Sequence, residues 1–394
     1  MTINDVEVRQ AENNEVTIGV VSEYDIRVAE CTRECEIDGE TKRINSAWIG
    51  GSIIVEVNGN AIRHSFRYLD TIRHKKNGDE NKIFKGLMTA FGYDVEFNSQ
   101  TKKLTYNKVG EGLIPRVEGK ITFVDINKNV VNTEEIKRTG EPTRVKVSSK
   151  LSLNEALNKD QSDLVFYNEL PVSYISTTNI SDNDSAMFTI EGVIKDIVDE
   201  YDNNGNTTGR YLVDLIVPNF FGVDIFNFVM LDKWNNNIDG EDVEFTKEMF
   251  YNATDEANSF CKAGDTVKLS GDIEGHSFGS VATVSDAKKT FGGGAKSVKS
   301  GFTRIEWTIK SGDFVEDSEQ YDMEIIKKAL EEREIILDNH YKQRLEDYKN
   351  INTGKAESKP SVKGSANGGS SPFGGSPAPK SSPFGNGKKS PFGW

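Results

Sequence analysis

The chain has 394 residues, 48 Lys plus Arg against 62 Asp plus Glu, a formal net charge of -14 and three cysteines, Cys31, Cys35 and Cys261. That length holds about two ordinary domains. The acid excess excludes a general polybasic binder, the cysteine count excludes a disulfide framework, and the lack of any run near the roughly 18 apolar residues of a spanning helix leads to the expectation of a cytoplasmic protein with no membrane partner.

In chain order, alternating or β-branched runs predict strands at Val16–Ala29, Ser52–Val57, Ala61–Leu69, Val117–Ile126, Thr143–Lys150, Phe188–Val198, Tyr211–Val217, Val223–Leu231, Thr266–Ile273 and Phe302–Ile309. Apolar residues at helical spacing predict short helices near Lys82–Phe91 and Asp255–Cys261. From Asp322 to Lys349 the pattern becomes that of a long amphipathic helix, either packed on a neighbouring domain or used for oligomerisation. From Lys355 onward the composition is Gly, Ser, Pro and Lys, with six lysines and one acid, so a +5 tail follows a -19 body. Such a segment buries too little apolar surface to offset its ordering entropy and is expected to be disordered. Within it Ser-Pro-Phe-Gly recurs at Ser371, Ser382 and Ser390, and Trp394 ends the chain. The expected architecture is mainly β: two small barrels over residues 1–178 and 179–315, a helix over 316–350 and a tail over 351–394. A ten-residue echo between Gly112–Ile121 and Gly264–Ile273 hints at two related units, each with a glycine where a strand would have to coil sharply.

The segment with the strongest chemical content runs from Arg63 to Lys76, where Arg63, Arg67, Arg73, Lys75 and Lys76 outnumber one acid and enclose His64, Phe66 and Tyr68. Along a strand the ring-bearing residues share one face and Arg63, Ser65 and Arg67 the other. Aromatic rings stack on any base while cations follow phosphates, so this mixture fits a groove for unpaired nucleic acid. The competing reading places the rings in the core and the charges in water. Trp48, on a strand leading into this region, is a further stacking candidate. In the second unit the candidates are Tyr211, Phe226, Phe228 and Trp234, with Lys268 and, in a Gly-rich loop, Lys288 and Lys289; Lys195, Arg210 and Lys233 lie nearby. Phe226 and Phe228 share one strand face, which is either the interior or the outside of a barrel.

Other chemistries have weaker signals. The run Gly292-Gly293-Gly294 lacks the Gly-Lys-Ser/Thr ending of a nucleotide loop. Cys31 and Cys35 with His64 and His74 supply four zinc-capable side chains, but at a spacing unlike the tight pairs of structural sites. With four histidines and no nucleophile elbow or zinc-protease helix, no catalytic residue, metal or cofactor is assigned.

The order Phe188–Ile194, Tyr211–Val217, Phe226–Leu231, a short helix at Glu256–Phe260, then Lys262-Ala263-Gly264-Asp265-Thr266-Val267-Lys268-Leu269-Ser270-Gly271 resembles the OB-fold of single-stranded DNA-binding proteins. With an acidic insertion at Asp232–Glu248 and a tail that is basic before Pro391-Phe392-Gly393-Trp394, the chain looks most like a bacteriophage-type replication protein. That resemblance implies sequence-tolerant binding of single-stranded DNA in replication, recombination or repair, without catalysis. It also implies that Pro391, Phe392, Gly393 and Trp394 contact replication or recombination proteins, with self-association through the tail. The alternative is a structural or assembly component of a phage particle.

Overall fold

Long β-branched runs broken by Asn, Asp and Gly turns make coiled strands, and the computed structural model is accordingly mostly β. It describes residues 2–3, 6–37, 40–69, 82–98, 103–110, 112, 119–136, 143–178, 182–202, 204–219, 222–238, 240–278, 281–283, 297–299 and 302–352. The tail, with its Ser-Pro-Phe-Gly units, lies outside these residues.

A short pair, β1 (Thr2–Ile3) and β2 (Val6–Glu7), precedes three long strands, β3 (Asn13–Ile37), β4 (Glu40–Val57) and β5 (Asn60–Leu69). Helix α1 (Lys82–Ala90) follows, then the hairpins β6 (Tyr93–Asn98) with β7 (Lys103–Lys108) and β8 (Gly119–Val124) with β9 (Val130–Ile136). Next come β10 (Arg144–Ser149), the hairpin β11 (Ser152–Leu157) with β12 (Leu164–Glu169), and β13 (Val172–Thr177). β3 pairs antiparallel with β4 and with β10, β4 pairs with β5, β10 pairs with β13, and a parallel bridge joins Ser65 on β5 to Pro171 just before β13. The circuit β3-β4-β5-β13-β10-β3 is the 1-2-3-5-4-1 order of an OB barrel, with α1 inserted between its third and fourth strands. α1 buries Phe84, Leu87, Met88 and Ala90.

The second barrel repeats the plan. Its strands are β14 (Ser185–Tyr201), β15 (Thr207–Pro218), β16 (Val223–Met230), the acidic hairpin β17 (Lys233–Ile238) with β18 (Glu241–Thr246), then α2 (Lys247–Phe250) and β19 (Thr266–Phe278). The small pair β20 (Val281–Thr283) and β21 (Ser297–Lys299) leads to β22 (Phe302–Phe314) and α3 (Met323–Asn352). β14 pairs with β15, β15 with β16, β16 runs parallel to β22 at Val229–Thr308 and Met230–Ile309, and β22 and β14 both pair with β19. The ring is closed in the same order. Gly271 makes the closure: a Cβ there would lie 2.0 Å from the Thr308 carbonyl oxygen, so only glycine lets β19 and β22 approach at the bulge.

The two first strands pair with each other, Ser185 opposite Ile18 through Ile190 opposite Asn13, which fuses the barrels into one twelve-stranded sheet. A single apolar core, including Ile26, Ile53, Phe66 and Phe123 in the first barrel and Phe188, Phe228 and Trp307 in the second, runs through both. α3 buries Ile326 and Ala329 and continues across the β11–β12 hairpin. There Tyr341 donates to the Gln161 carbonyl at 2.9 Å, Arg344 meets Glu155 at 3.2 Å, and the Arg333 guanidinium lies 5.5 Å from the Phe166 ring centroid. Of the two uses open to this helix, packing on its own chain is therefore observed, although Ile335 and Ile336 remain exposed.

Two expectations change. The helix predicted at Asp255–Cys261 is only a 3-10 turn, Glu256–Asn258, because Asn252 accepts from Thr254 N–H and Asp255 accepts from the Asn258 amide, offering the backbone turn geometry instead. The echo of Gly112–Ile121 with Gly264–Ile273 does not mark equivalent strands. Gly271 lies on the fourth strand of its barrel, whereas Gly119 lies on β8, which adds in parallel to the far half of β3; the fourth strand of the first barrel is β10.

Candidate nucleic-acid interface

In an OB barrel the outward face of the second and third strands, flanked by the loops after strands one and four, is where oligonucleotides bind. On the first barrel that face belongs to β4 and β5, with β3 alongside. The register fixes its rows: Ala29–Trp48–Leu69, Arg27–Gly50–Arg67, Asp25–Ser52–Ser65 and Glu23–Ile54–Arg63. Trp48 points outward and is partly exposed, and its ring lies flat over Gly50. A Cβ on Gly50 would sit 1.7 Å from Trp48 Cζ3, so the missing side chain is what leaves room for the ring. Arg27 and Arg67 flank Gly50 on either strand. Arg27 Nε is buried without a hydrogen-bond partner among the described residues, Arg67 pairs with Glu169 of β12, and Arg63 is exposed. A ring seated on the Gly50 row, which has an arginine on each neighbouring strand, is therefore presented where such barrels take their ligands. β5 ends at Leu69, opposite Trp48; Arg73, Lys75 and Lys76 lie outside the described residues. β19 and β22 of the second barrel come alongside β5, and Asn168 of β12 donates to the Ile305 carbonyl at 3.0 Å.

The alternation expected for Arg63–Tyr68 is present, but its ring-bearing side is the interior, and the assignment of that side to nucleic acid is corrected. Phe66 is 1% exposed and meets Phe91 edge-on with ring centroids 5.5 Å apart. Tyr68 packs against the same core, and burial raises its phenol to about 12. His64 is fully buried, 3.2 Å from the Ser149 hydroxyl and 3.9 Å from the Glu15 carboxyl. Burial lowers the imidazole to about 3 and raises the Glu15 carboxyl to about 8, although Thr17 and Ser149 hydrogen-bond that carboxyl. His64 is therefore neutral near pH 7 and is no phosphate ligand. It also lies across from Ile53, in the row of Tyr24 on the far side of β4, and Tyr24 is seven residues along β3 from Cys31, or about 23 Å at strand rise. His64 and Cys31 cannot share a zinc ion; His74 lies outside the described residues, and no grouping of three or more His, Cys, Asp and Glu occurs among the described ones.

The second barrel's rings are also turned inward. Phe226 and Phe228 lie 5.5 and 5.6 Å from Trp307, and Phe228 lies 5.2 Å from Phe188, so both are core residues and not stacking platforms. Trp234 is 9% exposed, stacks on Phe245 and donates its indole N–H to the Lys310 carbonyl at 2.8 Å. Tyr211 lies at the barrel end beneath the Lys247 ammonium, 4.3 Å from the ring centroid. Lys268 is paired with Glu12 at 2.6 Å. It lines an open cleft of about 620 Å³ between the barrels, together with Arg9, Lys150, Glu191 and Glu319. Arg9 there is bound by Glu191 and lies 5.0 Å from the Tyr321 ring, so the cleft is an ion-paired seam. Lys288, Lys289, Pro391, Phe392, Gly393 and Trp394 lie outside the described residues.

Arg27 and Gly50 were not singled out in the sequence. Arg27 was legible as the polar member of the alternation Tyr24, Ile26, Val28; Gly50 acquires its meaning only from the register of β3, β4 and β5.

The class defined by this arrangement is a mostly β protein of two OB barrels with one aromatic and basic strand face. The chain belongs to the YorF family, whose model matches residues 122–348. No curated protein matches. Among solved structures, the wild-type single-stranded DNA-binding protein from Thermus aquaticus is 8% identical, with a TM-score of 0.31 over 78% of this chain and 95% of that one. A deletion mutant of the same protein gives 8% and 0.31 over 78% and 97%. A superposition at that level establishes no common arrangement; the barrels here are defined by their own strand order. No described helix is long and apolar enough to cross a membrane.

Proposed function

We propose that this protein binds single-stranded DNA without sequence preference and without catalysis, as a coating protein in replication, recombination or repair. One observation carries the reading: Trp48 lies on Gly50, which has Arg27 and Arg67 on its neighbouring strands, on the strand face that OB barrels use for oligonucleotides. The ring offers a sequence-tolerant surface to a base, and the guanidiniums, with the exposed Arg63, follow the phosphates. The same proposal divides the chain at 178–179, between β13 and β14, and at 315–316 and 350–351. It assigns the basic tail, ending in Pro391, Phe392, Gly393 and Trp394, to replication or recombination partners and to contact between copies.

Anisotropy of a labelled oligo(dT) tests the site. Stacking on one base is worth about 1–3 kcal/mol, so Trp48→Ala should weaken binding roughly 5- to 150-fold while leaving the fold intact. Affinity should fall with salt by about 0.7 in logarithmic slope per neutralised phosphate. Equal affinity of Trp48→Ala and wild type would remove the face from the proposal, and equal affinity for duplex and single strand would remove the ligand.

A further inference from the structure

Because the two barrels share one strand order, their corresponding faces can be compared row by row. On the first, β3, β4 and β5 present Arg27, Trp48, Arg63 and Arg67 outward, with Arg67 held by Glu169, and with Glu23 and Asp25 further along β3, Asp25 held by Lys120 at 3.2 Å. On the second, the core takes Val213, Leu215, Phe226 and Phe228, so β14, β15 and β16 turn the rows Asp196–Asp214–Asn227 and Val198–Leu212–Val229 to the other side, where Val229 is itself covered. No ring stands on these rows. Nearby cations are already held: Lys195 by Asp214 at 3.3 Å, and Arg210 by Glu200 at 2.6 Å and Glu306 at 3.0 Å. On the adjoining hairpin Lys233 is held by Glu244 at 3.3 Å. A polyanion laid along this face would meet carboxylates without a stacking surface to offset the repulsion.

We infer that single-stranded nucleic acid lies on the first barrel alone, the second barrel turning it away with Asp196 and Asp214 where the first offers the Trp48 ring with Arg27 and the exposed Arg63. The inference rests on the proposed function and deepens it: the site has the length of one barrel. One OB barrel covers about 4–16 nucleotides.

The full chain, titrated with an oligo(dT) ladder and then over a salt series, tests this. Affinity should stop rising, beyond the statistical gain, once the oligonucleotide spans one barrel. Arg63→Ser should reduce the salt slope by about 0.7, whereas Lys195→Ala combined with Lys233→Ala should leave it unchanged. A slope reduced by about 1.4 in the double variant, or affinity that keeps climbing to twice the one-barrel length, overturns the inference. Failure of every oligonucleotide to bind instead overturns the proposed function.

Discussion

Glu15, His64 and Ser149 form a polar cluster inside the first barrel, and its proton content sets a measurable pH dependence. Glu15 is 1% exposed with its carboxyl raised by burial from 4.5 to about 8, and His64 is 0% exposed with its imidazole lowered from 6.5 to about 3. The folded pair therefore holds one proton between about pH 3 and 8. That count is the same whether the proton resides on the acid or on the imidazole. Glu15 contributes stability that is fully present below pH 4.5 and is lost as pH rises through about 8. His64, with its folded value depressed, contributes stability that is present above pH 6.5 and is lost as pH falls toward about 3. The two slopes oppose each other between pH 4.5 and 6.5, which gives a plateau. From pH 6.5 to 8 only the Glu15 slope remains and costs about 2 kcal/mol, at about 1.4 kcal/mol per unit. Glu15→Gln abolishes that alkaline loss and leaves the His64 slope uncompensated, so acidification from pH 6.5 toward 3 should cost about 5 kcal/mol. Amide hydrogen exchange of peptides covering β5 and β10, corrected for the intrinsic rate at each pH, reads these changes locally. If the variant lost as much protection as the wild type between pH 6.5 and 8, the buried-acid account would be wrong.

Phe228→Ala removes the ring between Phe188 and Trp307 and should destabilise the second barrel by about 3–5 kcal/mol, read as a lower urea midpoint. Gly271→Ala forces β19 and β22 apart at the Thr308 carbonyl and should cost at least as much as an ordinary cavity variant, about 3 kcal/mol, in the same titration. Gly50→Val should drive the Trp48 ring off its seat while keeping the β4 backbone, which shifts tryptophan emission and lowers oligo(dT) affinity together; a change in only one signal would separate the ring from the binding face. Tyr341→Phe deletes the bond to the Gln161 carbonyl and should cost about 1 kcal/mol, visible as faster exchange in the β11–β12 hairpin.

Period-two alternation located most barrel strands because each has one buried and one wet face, and the long helix at Met323–Asn352 stood out by its apolar spacing. The orientation of β5 was harder to read. Arg63 to Tyr68 alternate cleanly, but aromatic residues fit a core and a base-stacking surface equally well. The neighbour that decided the matter was Ile62, on the same side as His64 and Phe66, which makes that side apolar. The hairpin β17–β18 escaped because its strands are rich in Asn, Glu, Asp and Lys, whereas β6–β7 and β11–β12 are strands of only six residues, too short for their alternation to stand out. Trp48 could be found as an aromatic residue, but its seat on Gly50 depends on cross-strand register, which no local pattern encodes.

The ladder between β3 and β14 has a consequence for any attempt to take the molecule apart. Severing the chain between 178 and 179 would give halves that each expose six residues of main-chain donors and acceptors, Asn13–Ile18 on one and Ser185–Ile190 on the other, along a raw flank that solvent alone would then cover. Such fragments would recruit whatever extended polypeptide they met, their own kind included, along an edge that the intact chain keeps paired.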